Sequence, residues 1–363
     1  MPYTVVVAPD SFKGSATATA VAGALAAGWS AVRPDDRLVL APMADGGEGT
    51  LDAFEVAVHG SVRHPITVLG PAGTAVDASW LSLPDGTAVV ELAETSGLSH
   101  LPVLAPLDAH TVGFGQAIAA ALDAGATGLL LAIGGSASTD GGVGALSALG
   151  ARFTDATGRR IGFGNRGLHT LAAADLSGLP ALPPGGVRIL SDVTNPLLGA
   201  SGAASVFGPQ KGATPEQVAE LESGLANLAR VLGGVVPATP GAGAAGGTGY
   251  GLLAWGARLA PGSAAVGDAL GLPALVAEAD AVITGEGRFD AQSAAGKVPA
   301  YVAQLARDAG VPSLLVAGSI EAAPHDFAAA VSLSALAGGA DAAMAEPERW
   351  ARTAGAELAA TVR

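Results

Sequence analysis

The stretch Thr4–Ala41, TVVVAPDSFKGSATATAVAGALAAGWSAVRPDDRLVLA, decides the fold. It opens on a β-branched run, Thr4–Ala8, of the kind that forms a short buried strand. A polar loop containing Pro9 and Gly14 follows, and then an alanine-rich, helix-forming segment, Ala16–Val32. Arg37–Ala41 (RLVLA) is strand-like again. A strand, a helix and a second strand in succession make a βαβ unit, which implies a parallel sheet.

The alternation continues outward. Thr50–Val58 is predicted helical. Ser61–Leu92 differs: it is rich in Val and Thr, with Gly-Pro-Ala-Gly and Pro-Asp-Gly turns, and predicts a β-meander or hairpins. Thr111–Ala124 reads as helix, Gly128–Ile133 and Arg188–Leu190 as strands, and Pro215–Leu232 as an amphipathic helix. Ala281–Thr284 and Ser313–Ala317 read as buried strands flanking a helix, Val298–Ala309. A βα pattern at both ends with a different middle predicts an α/β chain of two domains. Residues 1–60 plus 278–363 form a discontinuous parallel-sheet domain, and residues 61–277 form an inserted α/β domain.

Composition narrows the function. The chain has 363 residues and a net charge of −14, with 53 glycines and no cysteine. An acidic chain lacks the cations that displace counterions from nucleic acid. Without cysteine there is no disulfide framework, thiolate nucleophile or thiolate metal site. The uncharged run Val231–Ala257 is broken by Pro237, Pro240 and many glycines, so it is no membrane span. Met1–Asp10 lacks a basic leader region, and a cytoplasmic protein is expected. Only three of the 18 basic residues are lysines, Lys13, Lys211 and Lys297, and each adjoins a glycine. Compact ammonium groups beside glycine suit anions held among backbone amides.

Five loops follow strand-like runs, where open α/β sheets place their ligands. Asp10, Ser11 and Lys13 stand in the first, ahead of a helix; anion binding there competes with Ser15 acting as a plain helix cap. Asp45, Gly46, Gly47 and Glu48 stand in the second, with oxygen donors that suit Mg²⁺ or an Asp-Gly turn. The third, Gly134, Gly135, Ser136, Thr139 and Asp140, has a phosphate-cradle composition without a Walker A pattern. The fourth carries Asp192 and Asn195, followed by Gln210 and Lys211; the fifth carries Gly285, Glu286, Arg288 and Asp290, followed by Gly296 and Lys297. Gly162–Gly167 matches G-x-G-x-x-G but follows a turn and not a strand. The six histidines show no ligand spacing, and no G-x-S-x-G elbow appears. These residues point to a kinase, another phosphoryl-transfer enzyme or a binding protein for an acidic metabolite.

At these loops the sequence resembles the bacterial glycerate kinase family. The matching stretches are VVVAPDSFKGS (Val5–Ser15), PMADGGEGT (Pro42–Thr50), ELAETSGL (Glu91–Leu98), IGGSASTDGGVGAL (Ile133–Leu146), SDVTNPLLGASGAASVFGPQKGAT (Ser191–Thr214), PGAGAAGGTGYGLLA (Pro240–Ala254) and VITGEGRFDAQSAAGKVP (Val282–Pro299). They fall in the family's order over nearly the whole chain. Thr139 stands where the family often has Asn, and Val298-Pro299-Ala300 where it commonly has Pro-Ile-Gly. The last forty or so residues match least and read as structural.

The resemblance implies ATP-dependent phosphorylation of D-glycerate to 2-phosphoglycerate with Mg²⁺, 3-phosphoglycerate being the other regiochemistry. It implies a flavodoxin-like domain built from both chain ends, an inserted α/β domain, and an active site in the cleft between them. Asp192 is then expected to orient the glycerate hydroxyl, and Asp45, Asp192 and Glu286 are the candidate metal ligands. One or two of Lys13, Lys211 and Lys297 are expected on the ATP phosphates, with Asp45 and Lys13 counted beside Asp192 as catalytic, and Arg288 or another lysine on the substrate carboxylate. A non-catalytic metabolite-binding protein on the same fold, or a kinase for a related small hydroxy acid, is the alternative. No nucleic-acid or membrane partner is expected.

Overall fold

The computed structural model describes residues 2–290 and 297–361. It divides into two compact units. The first comprises Met1–Asp45, Asp52–Val58 and Ser263–Arg363; the second comprises Gly46–Leu51 and His59–Gly262. Among the described residues no helix is long and apolar enough to cross a membrane.

The first unit is built on five parallel strands: β1 (Thr4–Pro9), β2 (Arg37–Leu40), β11 (Ala281–Phe289), β12 (Ser313–Ile320) and β13 (Ala329–Ser332). Their spatial order is β13-β12-β11-β1-β2. Counted within the unit, this is the doubly wound 2-1-3-4-5 order, with its switch point between β1 and β11. The central strands are buried on both faces, so Val5–Ala8 is an unbroken apolar run and Ala281–Thr284 is an apolar run closed by a buried Thr. One core layer packs Val5, Val7, Ile283 and Val316 against Leu25 and Trp29 of the helix Ala18–Val32, and Ala354 and Leu358 of the helix Pro347–Thr361. Those two helices touch backbone to backbone. A Cβ on Gly28 would overlap the Arg352 carbonyl, and one on Gly355 the Leu25 carbonyl. Part of the alanine and glycine excess therefore serves helix packing.

The second unit has a six-stranded sheet in the order β10-β9-β6-β5-β4-β3. Its strands are β3 (Val62–Leu69), β4 (Ala75–Ser82), β5 (Thr87–Glu91), β6 (Gly128–Ala132), β9 (Val187–Leu190) and β10 (Arg258–Ala260). β3, β4 and β5 form the antiparallel meander; β5, β6, β9 and β10 are parallel. A small hairpin, β7 (Arg152–Thr154) with β8 (Ala173–Asp175), stands apart. Phe114, Ile118, Leu146, Leu225 and Tyr250 fill the core over this sheet. The helix Pro215–Leu232 begins at a complete capping box, Thr214 with Gln217, and has Pro215 in its first turn.

Two expectations need correction. The fifth loop, Gly285–Asp290, is mostly strand: β11 continues to Phe289 because β12 holds it, with Arg288 opposite Ser319 and Phe289 opposite Ile320. The second boundary between units falls at Gly262–Ser263 and not near residue 277, because the helix Leu272–Ala277 packs on Val298–Ala309 of the first unit. Gly296 lies outside the described residues.

Candidate functional site

In the first unit, β1 ends at Pro9 and the chain turns tightly. Phe12 N–H donates to the Ala16 carbonyl, Ser15 N–H and Oγ both donate to the Phe12 carbonyl, and Gly14 takes φ 79°. Thr17, not Ser15, caps the following helix by accepting the Ala20 N–H. This turn fixes Asp10, Ser11 and Lys13 at the switch point. From the neighbouring strand, Glu286 and Arg288 project two residues apart and thus toward one face. Lys297 enters at the start of the helix Val298–Ala309.

These six residues line a cavity of about 300 Å³. Asp45 is not in its lining but pairs with Lys13, Nζ to Oδ2 at 3.2 Å. Lys297 Nζ lies 4.0 Å from Glu286 Oε2. Arg288 is held by Glu321 at 2.5 Å. Gly285 and Asp290 lie outside the lining, and the Gly285 carbonyl accepts the Asp10 N–H at 2.8 Å.

Asp10 is buried, and its Oδ1 accepts the Ser11 N–H at 2.7 Å. Burial, reinforced by the charge of Asp45, pushes its carboxyl up to about 8, against the pull of Lys13. Asp45 in turn raises Lys13 well above the ordinary lysine range. A carboxyl displaced this far in a cavity marks a site that handles charge.

The second unit holds the other expected residues. Gly134 N–H donates to the Gly46 carbonyl at 2.9 Å. A Cβ on Gly134 would stand 2.5 Å from Gly47 Cα, and one on Gly46 2.5 Å from the Leu190 carbonyl oxygen. These glycines therefore let neighbouring protein backbone approach closely. Gly135 takes φ 73°. Ser136 Oγ lies 3.2 Å from Ser138 Oγ, and the Thr139 hydroxyl is buried without a hydrogen-bond partner.

Asp140 is expected to face a ligand but faces protein. Oδ2 accepts from Thr111 N–H, Thr111 Oγ1 and Gly144 N–H, and Oδ1 accepts from Gly142 N–H. Lys211, also expected at a phosphate, is 2% exposed and donates to the Ser138 carbonyl. Burial pulls its ammonium down to about 7, only partly offset by Asp140. Both residues hold the loop Gly134–Gly142 in place. Asn195 Nδ2 donates to the Ser201 carbonyl at 2.8 Å, Gln210 is exposed, and Asp192 Oδ1 accepts the Gly262 N–H at 2.9 Å.

Glu91 opens the quoted stretch Glu91–Leu98 but is not among the expected site residues. It ends β5, is 2% exposed, and accepts Gly49 N–H at 3.1 Å and Leu51 N–H at 3.0 Å. These are amides at the start of the helix Thr50–Ala57. The anion position at that helix start is thus filled by the protein's own carboxylate. The available signal was a lone acidic residue closing an apolar strand.

The fold and the switch-point cavity define an α/β protein that gathers cations and carboxylates where doubly wound sheets bind ligands. The glycerate kinase family model matches residues 5–363. The glycerate 2-kinase of Escherichia coli K12 is 46% identical over 325 residues, covering 87% of this chain and 85% of its own. The glycerate kinase of Halalkalibacterium halodurans is 44% identical over 326 residues, covering 87% and 86%. A crystal structure from Salmonella typhimurium LT2, ascribed to glycerate kinase 2, superposes with a TM-score of 0.80 at 41% identity, covering 100% of this chain and 98% of that one. The chain belongs to the glycerate kinase family. It is an enzyme, a phosphotransferase with an alcohol group as acceptor.

Proposed function

We propose that this chain phosphorylates the 2-hydroxyl of D-glycerate with ATP, in the cytoplasm. The observation that supports this reading is the gathering of Asp10, Ser11, Lys13, Glu286 and Lys297 around one cavity of a family member. Phosphoryl transfer needs positioning and neutralisation of charge more than covalent chemistry by the protein. Lys13 and Lys297 supply positive charge for the triphosphate. The substrate hydroxyl oxygen forms a bond to the γ-phosphorus as the bond from that phosphorus to the β–γ bridging oxygen breaks. Asp192 orients the hydroxyl and takes its proton, and ADP leaves. Arg288, which lines the cavity, is the cation assigned to the substrate carboxylate.

The residues present fit Mg²⁺. Among the described residues no three acidic or histidine side chains form a cage. Mg²⁺ characteristically takes only one or two carboxylates, completing its shell with water and phosphate oxygens. Asp45, beside the Asp10–Lys13 turn, and the buried Glu286 are hard oxygen donors of that kind, and Asp192 is the third candidate. When bound, the ion neutralises charge on the β- and γ-phosphoryl oxygens.

An ATP-coupled assay with D-glycerate tests the activity, and NMR of the product tests the position. Glycerate-dependent ADP release yielding the 2-phosphate is the expected result. Binding of both compounds without turnover overturns it in favour of a metabolite-binding protein; faster turnover of another hydroxy acid overturns the substrate. Asp192→Asn is expected to lower kcat at least a hundredfold with ATP binding retained. Lost ATP binding with near-normal turnover of what binds removes the base role.

A further inference from the structure

The cavity of the first unit has two chemically different walls. One carries Asp10, Ser11, Lys13, Glu286 and Lys297. The other is made by Leu333, Ser334, Ala340, Ala343, Met344 and Pro347, from the helices Leu333–Ala337 and Ala340–Ala345 and the start of Pro347–Thr361, and is apolar but for the Ser334 hydroxyl, which donates to the Gly318 carbonyl. Glycerate has an oxygen on every carbon and no apolar face to lay on that second wall. A nucleoside triphosphate has both a flat apolar base and a polyanionic tail. We infer that the segment Leu333–Pro347 seats the purine base of the nucleotide, with Met344 against the ring and the triphosphate running toward Ser11 and Lys13.

Two independent observations support this occupant. Met344 is 55% exposed at the cavity, an apolar surface left in water. A purine covering it would remove that surface from solvent and gain a thioether–ring contact. At the other end the Ser11 hydroxyl is nine-tenths buried, lines the cavity and has no hydrogen-bond partner. An orphaned buried hydroxyl is costly, and a phosphoryl oxygen would satisfy it. The inference rests on the kinase reading and extends it into a segment whose sequence carries none of the family motifs.

Photolabelling of the full-length protein with 8-azido-ATP tests it without reference to turnover. The label is expected within residues 333–347, with protection by ATP and by adenosine but not by D-glycerate or inorganic tripolyphosphate. Met344→Ala is expected to raise the Kd for ATP about tenfold. The KM for glycerate should be unchanged and the Tm near wild type, since Met344 is exposed; Met344→Gln, of similar length, repeats the measurement if the alanine variant is unstable. Label on other peptides, or an unchanged Kd in the variants, overturns the base seat even if the wild type turns over glycerate. Label on 333–347 with weakened ATP binding in a protein lacking glycerate-dependent turnover upholds the seat and sinks the kinase reading instead.

Discussion

Asp140 Oδ2 accepts both the backbone N–H of Thr111, at 2.9 Å, and its hydroxyl, at 2.8 Å. The Thr111 hydroxyl accepts in turn from Ala145 N–H at 2.9 Å. One buried carboxylate thus ties the end of the Gly134–Gly142 loop to the start of the helix Val112–Asp123. Asp140→Asn puts an amide NH₂ where only acceptors fit, leaving buried donors unmatched. Urea unfolding is expected to show a loss of about 2–4 kcal/mol. Thr111→Val is expected to cost less alone and to be non-additive with Asp140→Asn in a double-mutant cycle.

Residues such as Asp140 show what sequence could reveal. Strand and helix alternation was legible because buried parallel strands must be apolar runs, as at Val5–Ala8 and Leu129–Ile133. Gly285–Phe289 was not, because two glycines and two charges look like a loop. The chain is strand there because β12 pairs with it as far as Phe289, whereas β1 reaches only Gly285, which is a tertiary cause. Asp10, Lys13 and Glu286 were legible as charged residues following strands. The difference between a cavity-lining Asp10 and a protein-facing Asp140 was not, since it depends on which amides surround each carboxylate. Met344 and Ala340 escaped for another reason: apolar residues in short helices read as core, and only the cavity distinguishes them.

Glu91 should behave as a built-in anion for the helix Thr50–Ala57. Glu91→Gln keeps one acceptor, loses the charge and sets an NH₂ against a backbone N–H. A loss of about 1–2 kcal/mol is expected, measured by denaturant midpoint at constant m. Added sulfate is expected to recover part of the loss in Glu91→Ala, where the anion position is vacated, and none in the wild type. Equal sulfate effects on both proteins would show that Glu91 does not occupy an anion position.

Gly28 and Gly355 set how close their helices lie. Alanine at either position must drive the pair apart, since the overlapping atoms are backbone carbonyls and cannot rotate away. Each substitution is expected to cost about 1–3 kcal/mol despite the higher helix propensity of alanine. Gly23→Ala in the same helix, where a Cβ meets nothing within 4 Å, is expected to be neutral or stabilising. Thermal unfolding of the three variants separates packing from propensity.

Lys211 gives the pH dependence a definite sign. Burial holds its folded pKa at about 7, below the ordinary 10.5. Between those values the unfolded chain carries a proton that the folded chain does not, so this residue makes stability rise with pH. Its unfavourable contribution is complete below pH 7 and fades toward pH 10. Lys211→Met removes the titration, so the stability difference, wild type minus variant, should increase from pH 7 to pH 10. A difference that is flat or falls across that window contradicts the assigned direction.

Lys13 should matter far more to chemistry than to folding. Its side chain is half exposed and pairs with Asp45, an ion pair of a kind that contributes little to stability. Lys13→Met is therefore expected to leave Tm within a few degrees of wild type. Its electrostatic role differs, because it stands among Asp10, Asp45 and Glu286 and is the cation that lowers the Asp10 carboxyl. Without it, Asp10 should titrate still higher, visible in carboxyl ¹³C shifts against pH. A triphosphate would then meet carboxylates with one fewer compensating charge. The kcat/KM for ATP is expected to fall at least a hundredfold. Lys13→Arg keeps the charge but not the compact ammonium, so it should restore the Asp10 titration while recovering only part of the rate. Full recovery of rate would reduce Lys13 to a source of net charge, and a large drop in Tm for Lys13→Met would make it a structural residue instead.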